Sequence, residues 1–263
     1  MNRVAVHQSV LSSSDPVAGV AAARAAGLDS IGFHVASIAS VESLWDKGAG
    51  SPVLATLVDA LLASRVTALD VGRVDLALRD GPTDVAGPQY RVLDLGSRLG
   101  CQFVTARAAE GGVEENRARF AALDEAAARR GVRPLLVPMP GTAAGDAREA
   151  AEIVRGTRGG VVVDVWPRVA DPDEVADLIA ELGDALGYVR VAAGELDVDM
   201  GPATSLLATL PPQVPLVIGS PATGSGDAPA PVDDVEFLTR CRAGLDRLLI
   251  HPRALAAERE LPR

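Results

Sequence analysis

The chain is poor in lysine and in aromatic residues, and each shortage excludes a class of protein. Among its 263 residues, Lys47 is the only lysine, and it lies in the polar stretch 43–50. Schiff-base catalysis needs a lysine whose pKa is lowered by burial or nearby charge, so we do not expect it here. Aromatic residues make up only 3% of the chain. The core must therefore consist of Val, Leu, Ile and Ala, which suits a buried parallel sheet covered by helices.

Cysteines and long apolar runs are also scarce. Cys101 and Cys241 are far apart and form no CxxC pair, so the sequence carries no zinc or redox motif of that kind. Residues 1–15 contain too short an apolar run for a signal peptide. No stretch approaches the roughly 18 apolar residues of a membrane span. These features predict a cytoplasmic protein with two buried, reduced thiols and no membrane partner.

An excess of positive charge is missing as well. The formal net charge is −10, whereas nucleic-acid binding normally requires a basic face. We therefore expect no nucleic-acid partner. A small-molecule partner remains, and a local cluster of arginines could still bind an anion.

One unit recurs along the chain: a short β-branched run, a polar loop, and an Ala- and Leu-rich amphipathic stretch. The predicted strands are 3–10, 28–36, 66–74, 101–108, 132–140, 159–167, 187–195 and 214–221. The predicted helices are 15–27, 51–65, 89–100, 113–131, 144–157, 171–186, 201–211 and 231–250. The first helix shows the pattern well, with Asp15 as N-cap, Pro16 at the first helical position and Gly27 as the stop.

Eight such units in about 250 residues predict an α/β fold, a single closed (β/α)8 TIM barrel that spans residues 1–263. An open doubly wound sheet is the alternative, but no G-x-G-x-x-G turn follows the first strand. Residues 219–234 are rich in Gly, Pro, Ala and Ser, and they predict one long loop after the eighth strand.

In a TIM barrel, functional residues lie at the carboxyl ends of the strands. The polar and other reactive side chains predicted there are His7, Gln8, His34, Asp70, Arg73, Thr105, Arg107, Met139, Asp164, Trp166, Glu195 and Ser220. Of these we predict catalytic roles for His7, His34, Asp70 and Asp164, and substrate-binding roles for Arg73, Arg107, Trp166 and Glu195. Each residue also has a structural interpretation, as a core histidine, a turn cap, an ion-pair partner, a solvated acid or a packing residue.

Three stretches carry a family resemblance: "AGVAAARAAGLDSIGFH" at 18–34, "RFAALDEAAARRGVRPLLVPMP" at 119–140 and "GGVVVDVWPRVADPDEVADL" at 159–178. With them, the order of units over roughly 1–250 resembles the xylose-isomerase-like sugar phosphate isomerase/epimerase superfamily. The resemblance implies a TIM barrel and a divalent metal held by Glu on strand five, Asp on strand six, His near strand six or seven, and Glu on strand eight. Metal and carboxylates together would shuttle a proton between neighbouring carbons.

Carried over position by position, only the acid on strand six survives, as Asp164. The other positions are Val137, Pro167, Ala193 and Gly219, whose side chains donate no lone pair to a cation. Hard-cation sites need several oxygen or nitrogen ligands. We therefore expect the family's fold without its metal, and no other cofactor. Asp164 would then be a base, an ion-pair partner for Arg107 or Arg190, or an acceptor for a substrate hydroxyl.

Three functions fit these observations. The first is a metal-independent sugar (phosphate) isomerase or epimerase, or a lyase variant, that transfers protons on a small polyol or keto compound. The second is a non-catalytic ligand-binding relative or partner subunit. The third is a metal-dependent sugar isomerase that draws its ligands from His7, His34, Asp70 or Asp164. A homodimer that pairs through the barrel helices is left open.

Overall fold

The computed structural model has eight parallel strands that close into a barrel in the order β1 to β8, which confirms the predicted TIM barrel. The structure describes residues 2–34, 52–76, 88–167, 170–196, 207, 210–220 and 233–249. The strands are Val4–His7, Ser30–His34, Thr67–Asp75, Phe103–Arg107, Arg133–Val137, Gly160–Val165, Leu186–Ala192 and Leu216–Gly219, numbered β1 to β8. Pairing of Val4 with Leu216 closes the barrel between β1 and β8.

Helices follow the strands over the described residues, and seven of the eight overlap predicted helices, whereas Ala193–Leu196 lies where we predicted the end of a strand. The helices are Pro16–Ala25, Pro52–Ser64, Pro88–Leu99, Val113–Ala128, Ala147–Val154, Pro172–Leu182, Ala193–Leu196 and Asp234–Leu248, numbered α1 to α8. Short 3-10 turns span Gln8–Val10 and Gly183–Ala185. Asp15 accepts a hydrogen bond from the Val17 amide at the start of α1, and Gly27 ends it at φ +71°. No helix among these residues is both long and apolar enough to cross a membrane.

Two predicted strand ends need correction. Strand β3 ends at Asp75, one residue beyond the predicted end, and Arg73 lies within it, two residues before that end. Strand β7 ends at Ala192, and Glu195, which we placed at the end of that strand, lies on α7. Ala, Glu and Leu favour a helical turn there. Lys47, most of the predicted helix 201–211 and most of the loop 219–234 lie outside the described residues.

The strands bury both faces. Their outward side chains, such as Val4 and Val6 on β1, pack against the helices in a core of Val, Leu, Ile and Ala. Cys101 and Cys241 are both buried and form no disulfide. The inward side chains form a separate plug inside the barrel: Ala5, Leu69, Phe103, Leu135, Val137, Val162, Tyr188 and Val217. Because side chains alternate between faces along a strand, the next inward positions lie at the mouth of the barrel.

A bulge in β3 aims an acid at the interior. Ile31 pairs with Ala68 and Phe33 with Val71, so Leu69 and Asp70 together stand opposite Gly32. Such an extra residue re-aims the side chains around it. A Cβ atom at Gly32 would overlap Asp70 Oδ1 and lie 3.2 Å from His7 Cδ2. A side chain at position 32 therefore cannot coexist with Asp70 in its present place.

The bulge gives a testable packing constraint. We expect Gly32→Ala to destabilise the fold by about 1–3 kcal/mol, because the added methyl group displaces a buried carboxyl. The double variant Gly32→Ala/Asp70→Ala removes the overlap and should recover most of the loss. Urea unfolding of the two variants measures this difference. Equal instability in both would show that Asp70 is not what the glycine accommodates.

Candidate active site

The mouth of the barrel is a polar layer above the apolar plug. Each of its members lies two residues beyond a plug residue on the same strand, or at the β3 bulge. The polar members are His7, Asp70, Thr105, Asp164 and Arg190, and the positions of Val137, which also packs in the plug, and of Gly219 complete the layer. His7, Asp70, Thr105 and Arg190 are all buried. The layer therefore holds several titratable groups out of water, where their mutual interactions are strong.

A buried ion pair joins β6 to β7. Arg190 donates from Nε to Asp164 Oδ1 at 2.6 Å and from Nη2 to Oδ2 at 2.8 Å. The two side chains are only 9% and 8% exposed. Burial by itself lowers the pKa of Arg190, but the charge and hydrogen bonds of Asp164 outweigh it and raise the pKa above its ordinary value. Of the two arginines predicted as possible partners for Asp164, Arg190 is thus the one in contact.

Gly219 makes room for this arginine. A Cβ atom at position 219 would lie 2.7 Å from Arg190 Cδ and 3.6 Å from His7 Cβ. The aliphatic stem of Arg190 therefore covers the end of β8 while its guanidinium reaches Asp164. Within the described residues, Arg190 Nη1 makes no hydrogen bond, so the guanidinium retains donors for another acceptor.

Asp70 is the second carboxyl group of the layer, and its setting differs. Tyr188 donates its hydroxyl to Asp70 Oδ2 at 2.9 Å, and Asp70 Oδ1 is buried with no hydrogen-bond partner in the described part of the chain. Burial raises the pKa of Asp70 to about 6, although the Tyr188 hydrogen bond and the charge of Arg190 both oppose the rise. Burial and the adjacent Asp70 raise the pKa of Tyr188, which keeps the phenol a donor. Asp70 can therefore gain and lose a proton near neutral pH.

His7 is held as a neutral imidazole. Its Nδ1 accepts the Ser9 amide at 3.2 Å and lies 2.7 Å from Ser9 Oγ. Burial, the charge of Arg190 and that of His34 lower the pKa of His7 to about 3. Because Nδ1 is an acceptor, the proton of the neutral ring belongs on Nε2. His7 is thus a hydrogen-bond donor at neutral pH rather than a proton reservoir.

His34 lies beside His7 with its ring centroid 6.3 Å away. It ends β2 and is half-buried, and burial followed by the charge of Arg73 lowers its pKa. On the next strands, Arg107 forms an ion pair with Asp75, and its Nη1 lies 3.9 Å from Met139 Sδ. The predicted residues of strands one to four therefore share one end of the barrel.

The remaining predicted residues are less closely joined to this group. Trp166 is half-buried directly after β6, and Glu195 is half-buried on α7. The structure thus groups His7, His34, Asp70 and Asp164 at the mouth, with Arg73 and Arg107 beside them. The catalytic and binding roles of all eight residues stay predictions.

Two important residues were missing from the predicted set. Tyr188 and Arg190 both point into the barrel, and the period-two alternation of "YVRVA" at 188–192 already places them on one face. Our assignment of the polar position of strand seven to Ala193 was wrong, because Ala193 lies on α7 and Arg190 occupies the mouth layer. Gln8 Oε1 is a further buried acceptor without a partner among the described residues.

No protein-family model matches the chain, and no curated protein matches it in sequence. Solved structures match it in shape. A D-allulose 3-epimerase from Methylomonas sp. is 17% identical with a TM-score of 0.67, over 95% of this chain and 99% of that one. The 3-keto-D-glucoside 4-epimerase from E. coli is 14% identical with a TM-score of 0.64, over 92% and 100%.

A third match is a xylose isomerase-like TIM barrel/4-hydroxyphenylpyruvate dioxygenase fusion protein. It is 18% identical with a TM-score of 0.66, over 95% of this chain and 45% of the fusion protein, so the present chain spans less than half of it. This chain has the xylose isomerase-like TIM-barrel fold. At these identities the likeness establishes the fold, and the activity has to be argued from the site.

The xylose isomerase-like fold implies a divalent metal, but the described residues at this mouth do not fit one. Val137 and Gly219, which stand where ligands are expected, face the interior and offer no donor atoms. Asp164 presents both oxygens to Arg190. Among the described residues, no three His, Cys, Asp or Glu side chains are grouped so as to hold a metal ion. The alternative with relocated ligands therefore gains no support from this part of the chain.

The Arg190–Asp164 pair makes a strong prediction for stability. We expect Arg190→Met to destabilise the fold by about 3–5 kcal/mol, because it removes the cation that makes two hydrogen bonds to a buried carboxylate. The double variant Arg190→Met/Asp164→Leu removes both charges and should recover much of that loss. Urea denaturation of the wild type, both single variants and the double variant gives the coupling. Additive losses would mean that the two side chains do not interact.

The raised pKa of Asp70 predicts how stability depends on pH. A carboxyl group that titrates at 3.8 when unfolded and about 6 when folded destabilises the native state above pH 6. The loss is about 3 kcal/mol, since one pKa unit corresponds to about 1.4 kcal/mol. The effect grows from about pH 4 to pH 6, and well below pH 3.8 both states are protonated and it vanishes. We expect Asp70→Asn to be more stable than wild type at pH 8 by up to this amount, and similar at pH 4.

His7 changes the stability of the native state with pH in the opposite direction from Asp70, so the stability of Asp70→Asn has to be compared with that of wild type at each pH. The lowered pKa of His7 means that stability falls as the pH drops below 6.5. That contribution is present in both proteins and cancels from their difference. A stability difference between wild type and Asp70→Asn that stays flat from pH 4 to pH 8 would show that Asp70 titrates normally.

Proposed function

We propose that this chain is a sugar isomerase or epimerase-like enzyme that transfers protons on a small polyol or keto compound without a divalent metal. The observation that carries the proposal is Asp70, a buried carboxyl with a free Oδ1, a pKa of about 6 and a neutral histidine beside it. Enzymes tune acids and bases toward the working pH in this way.

Asp70 is the proton carrier in this proposal. As a carboxylate it takes a proton from the carbon next to the substrate carbonyl, and the C–H electrons form a carbon–carbon double bond. The carbonyl oxygen becomes an oxyanion. Asp70 then delivers the proton to the former carbonyl carbon. The hydroxyl on the first carbon gives up its proton and becomes the new carbonyl, and the oxyanion takes up that proton and becomes a hydroxyl. No net oxidation or reduction occurs.

Arg190 and His7 supply the stabilisation of the oxyanion. The Arg190 guanidinium is a fixed cation that Asp164 holds in place, and His7 Nε2–H is a neutral donor. Donors fixed in advance, in a site shielded from water, are the main source of such stabilisation. Asp164 thus acts by positioning Arg190, and Tyr188 by holding one oxygen of Asp70 so that Oδ1 is left for the substrate.

The structural comparisons support the choice of substrate. Two of the matched proteins are named as epimerases of D-allulose and of a 3-keto-D-glucoside. Both names describe sugars with a carbonyl group beside the carbon whose configuration changes. A neutral donor, a cation and a titratable carboxyl are the groups that such a reaction needs. For this chain, sugars and their keto derivatives are therefore the substrates to try first.

The test detects proton transfer whatever product is formed. Purified protein, treated with chelator, is incubated with pentoses, hexoses, ketoses and their phosphate and acid derivatives in D2O, and loss of C–H signals is followed by proton NMR. We expect exchange with at least one compound, lowered about 100-fold or more in Asp70→Asn. The apparent pKa near 6 in the rate profile should also disappear from that variant.

Asp124→Asn is the matched control, since Asp124 is a buried acid on α4 that accepts the Arg158 amide outside the barrel. It should exchange at the wild-type rate. Exchange that depends on added metal, or that persists in Asp70→Asn, would refute the proposed mechanism. Absence of exchange with every compound, alongside tight binding of one of them, would instead favour a non-catalytic ligand-binding protein.

A further inference from the structure

Three arginines surround the mouth, and they are not equivalent. Arg190 is paired with Asp164 and Arg107 with Asp75. Arg73 makes no ion pair and no hydrogen bond within the described residues. It is nevertheless close enough to the other two for their charges to act on it. Among the described residues, Arg73 is therefore a cation that no carboxylate contacts directly, in a chain whose net charge is −10.

The position of Arg73 is set by a second irregularity of β3. Gly72 pairs with Thr105 and Val74 with Ala106, so Arg73 is an extra residue opposite the end of β4. A Cβ atom at Gly72 would overlap Thr105 Oγ1, which shows how closely the strands approach just before Arg73. The bulge thus places the base of an exposed arginine at the rim beside Arg107, two residues before Asp75.

The positive charges of Arg73 and Arg107 at the rim repel each other. Partial burial lowers the pKa of Arg73, the charge of Arg107 lowers it further, and Asp75 offsets this only in part. Arg73 in turn lowers the pKa of His34. Like charges held together in this way attract an anion, and guanidinium groups bind phosphate and carboxylate oxygens through paired hydrogen bonds.

We propose that Arg73, with Arg107 beside it, binds an anionic group of the substrate, so that the enzyme acts on sugar derivatives that carry a phosphate or a carboxylate. The inference rests on the proposed function only in taking the mouth as the place where substrate binds. It adds a substrate class: the reacting carbons lie at Asp70 and Arg190, and the anionic group lies at the rim. His34 is close enough to Arg73 for the charge of Arg73 to lower its pKa, so His34 can report on an anion bound there.

Anion binding can be measured without any turnover, because it should change the titration of His34. The chain has three histidines, His7, His34 and His251, so nitrogen-15 histidine spectra are simple to assign with His→Gln variants. The probes are inorganic phosphate and acetate, each titrated at constant ionic strength with sodium chloride. We expect a saturable rise in the pKa of His34 with one or both probes, because the bound anion cancels the charge of Arg73.

Arg73→Gln is the decisive variant. His34 should titrate at a higher pH in this variant from the start, since the cation that lowers its pKa is gone, and it should no longer respond to either probe. Arg155→Gln is the matched control: Arg155 is an exposed arginine at the end of α5, on the opposite side of the barrel from the mouth, and pairs with Glu152. It should behave like wild type. The proposal would be overturned if the pKa of His34 in wild type responded to neither probe, or if it responded in Arg73→Gln as it does in wild type.

Kinetics with matched substrates separate this inference from the proposed function. For a sugar and its phosphate or acid form, Arg73→Gln should raise the KM for the anionic compound by about tenfold or more and leave that for the neutral one unchanged. Exchange on neutral sugars alone, with no response of His34 to phosphate or acetate, would keep the proposed function and refute the anion site. A saturable response of His34 in a protein that exchanges hydrogen on no substrate would support the anion site and refute the proposed function.

Discussion

The electrostatics of the mouth depend on one buried cation, the guanidinium of Arg190. Its charge helps to lower the pKa of His7, and it opposes the rise in the pKa of Asp70. Asp164 keeps it charged and fixes its direction through two hydrogen bonds. Without this pair, His7 would be easier to protonate and Asp70 harder to ionise, so the division between a neutral donor and a titratable acid would weaken.

This arrangement is costly for the folded state. Asp70 carries a buried charge above pH 6, and its Oδ1 has no donor within the described residues. His7 resists protonation in acid. Both effects oppose folding, at different ends of the pH range, and the apolar core of the barrel has to outweigh them. Residues that destabilise the native state in this way are expected where function, rather than packing, determines the side chain.

Much of the fold could be predicted from the sequence, because the signals are local. The β-branched runs, the Asp-Pro helix starts and the glycine stops each act over a few residues, and they located all eight strands. The bulges in β3 could not be predicted, since a bulge depends on how two strands pair and leaves no pattern in one of them. For the same reason Asp70 could be placed on a strand but not known to face the interior.

The site itself was only partly predictable. The four catalytic candidates lie at one end of the barrel because the fold dictates that end, and their roles stay predictions. The pairing of Asp164 with Arg190 rather than Arg107 depends on the register Asp164–Arg190 between β6 and β7, which no sequence pattern encodes. Period-two alternation on β7 could have identified Tyr188 and Arg190, but the position of the strand end was misjudged. An error of a few residues at a strand end is enough to assign the wrong residue to the site.

A guanidinium and a divalent metal would bind a sugar substrate differently at such a site. A metal exchanges its ligands and binds two neighbouring oxygens of a sugar at once, whereas a guanidinium offers planar donors in a fixed fork. With two of its nitrogens on Asp164, Arg190 retains few donors, enough to stabilise one oxyanion but not to position a whole sugar. Other residues at the mouth must then bind the rest of the substrate. The arginines on β3 and β4 are the strongest such groups that the described part of the chain provides, and they act on charged substituents rather than on hydroxyls.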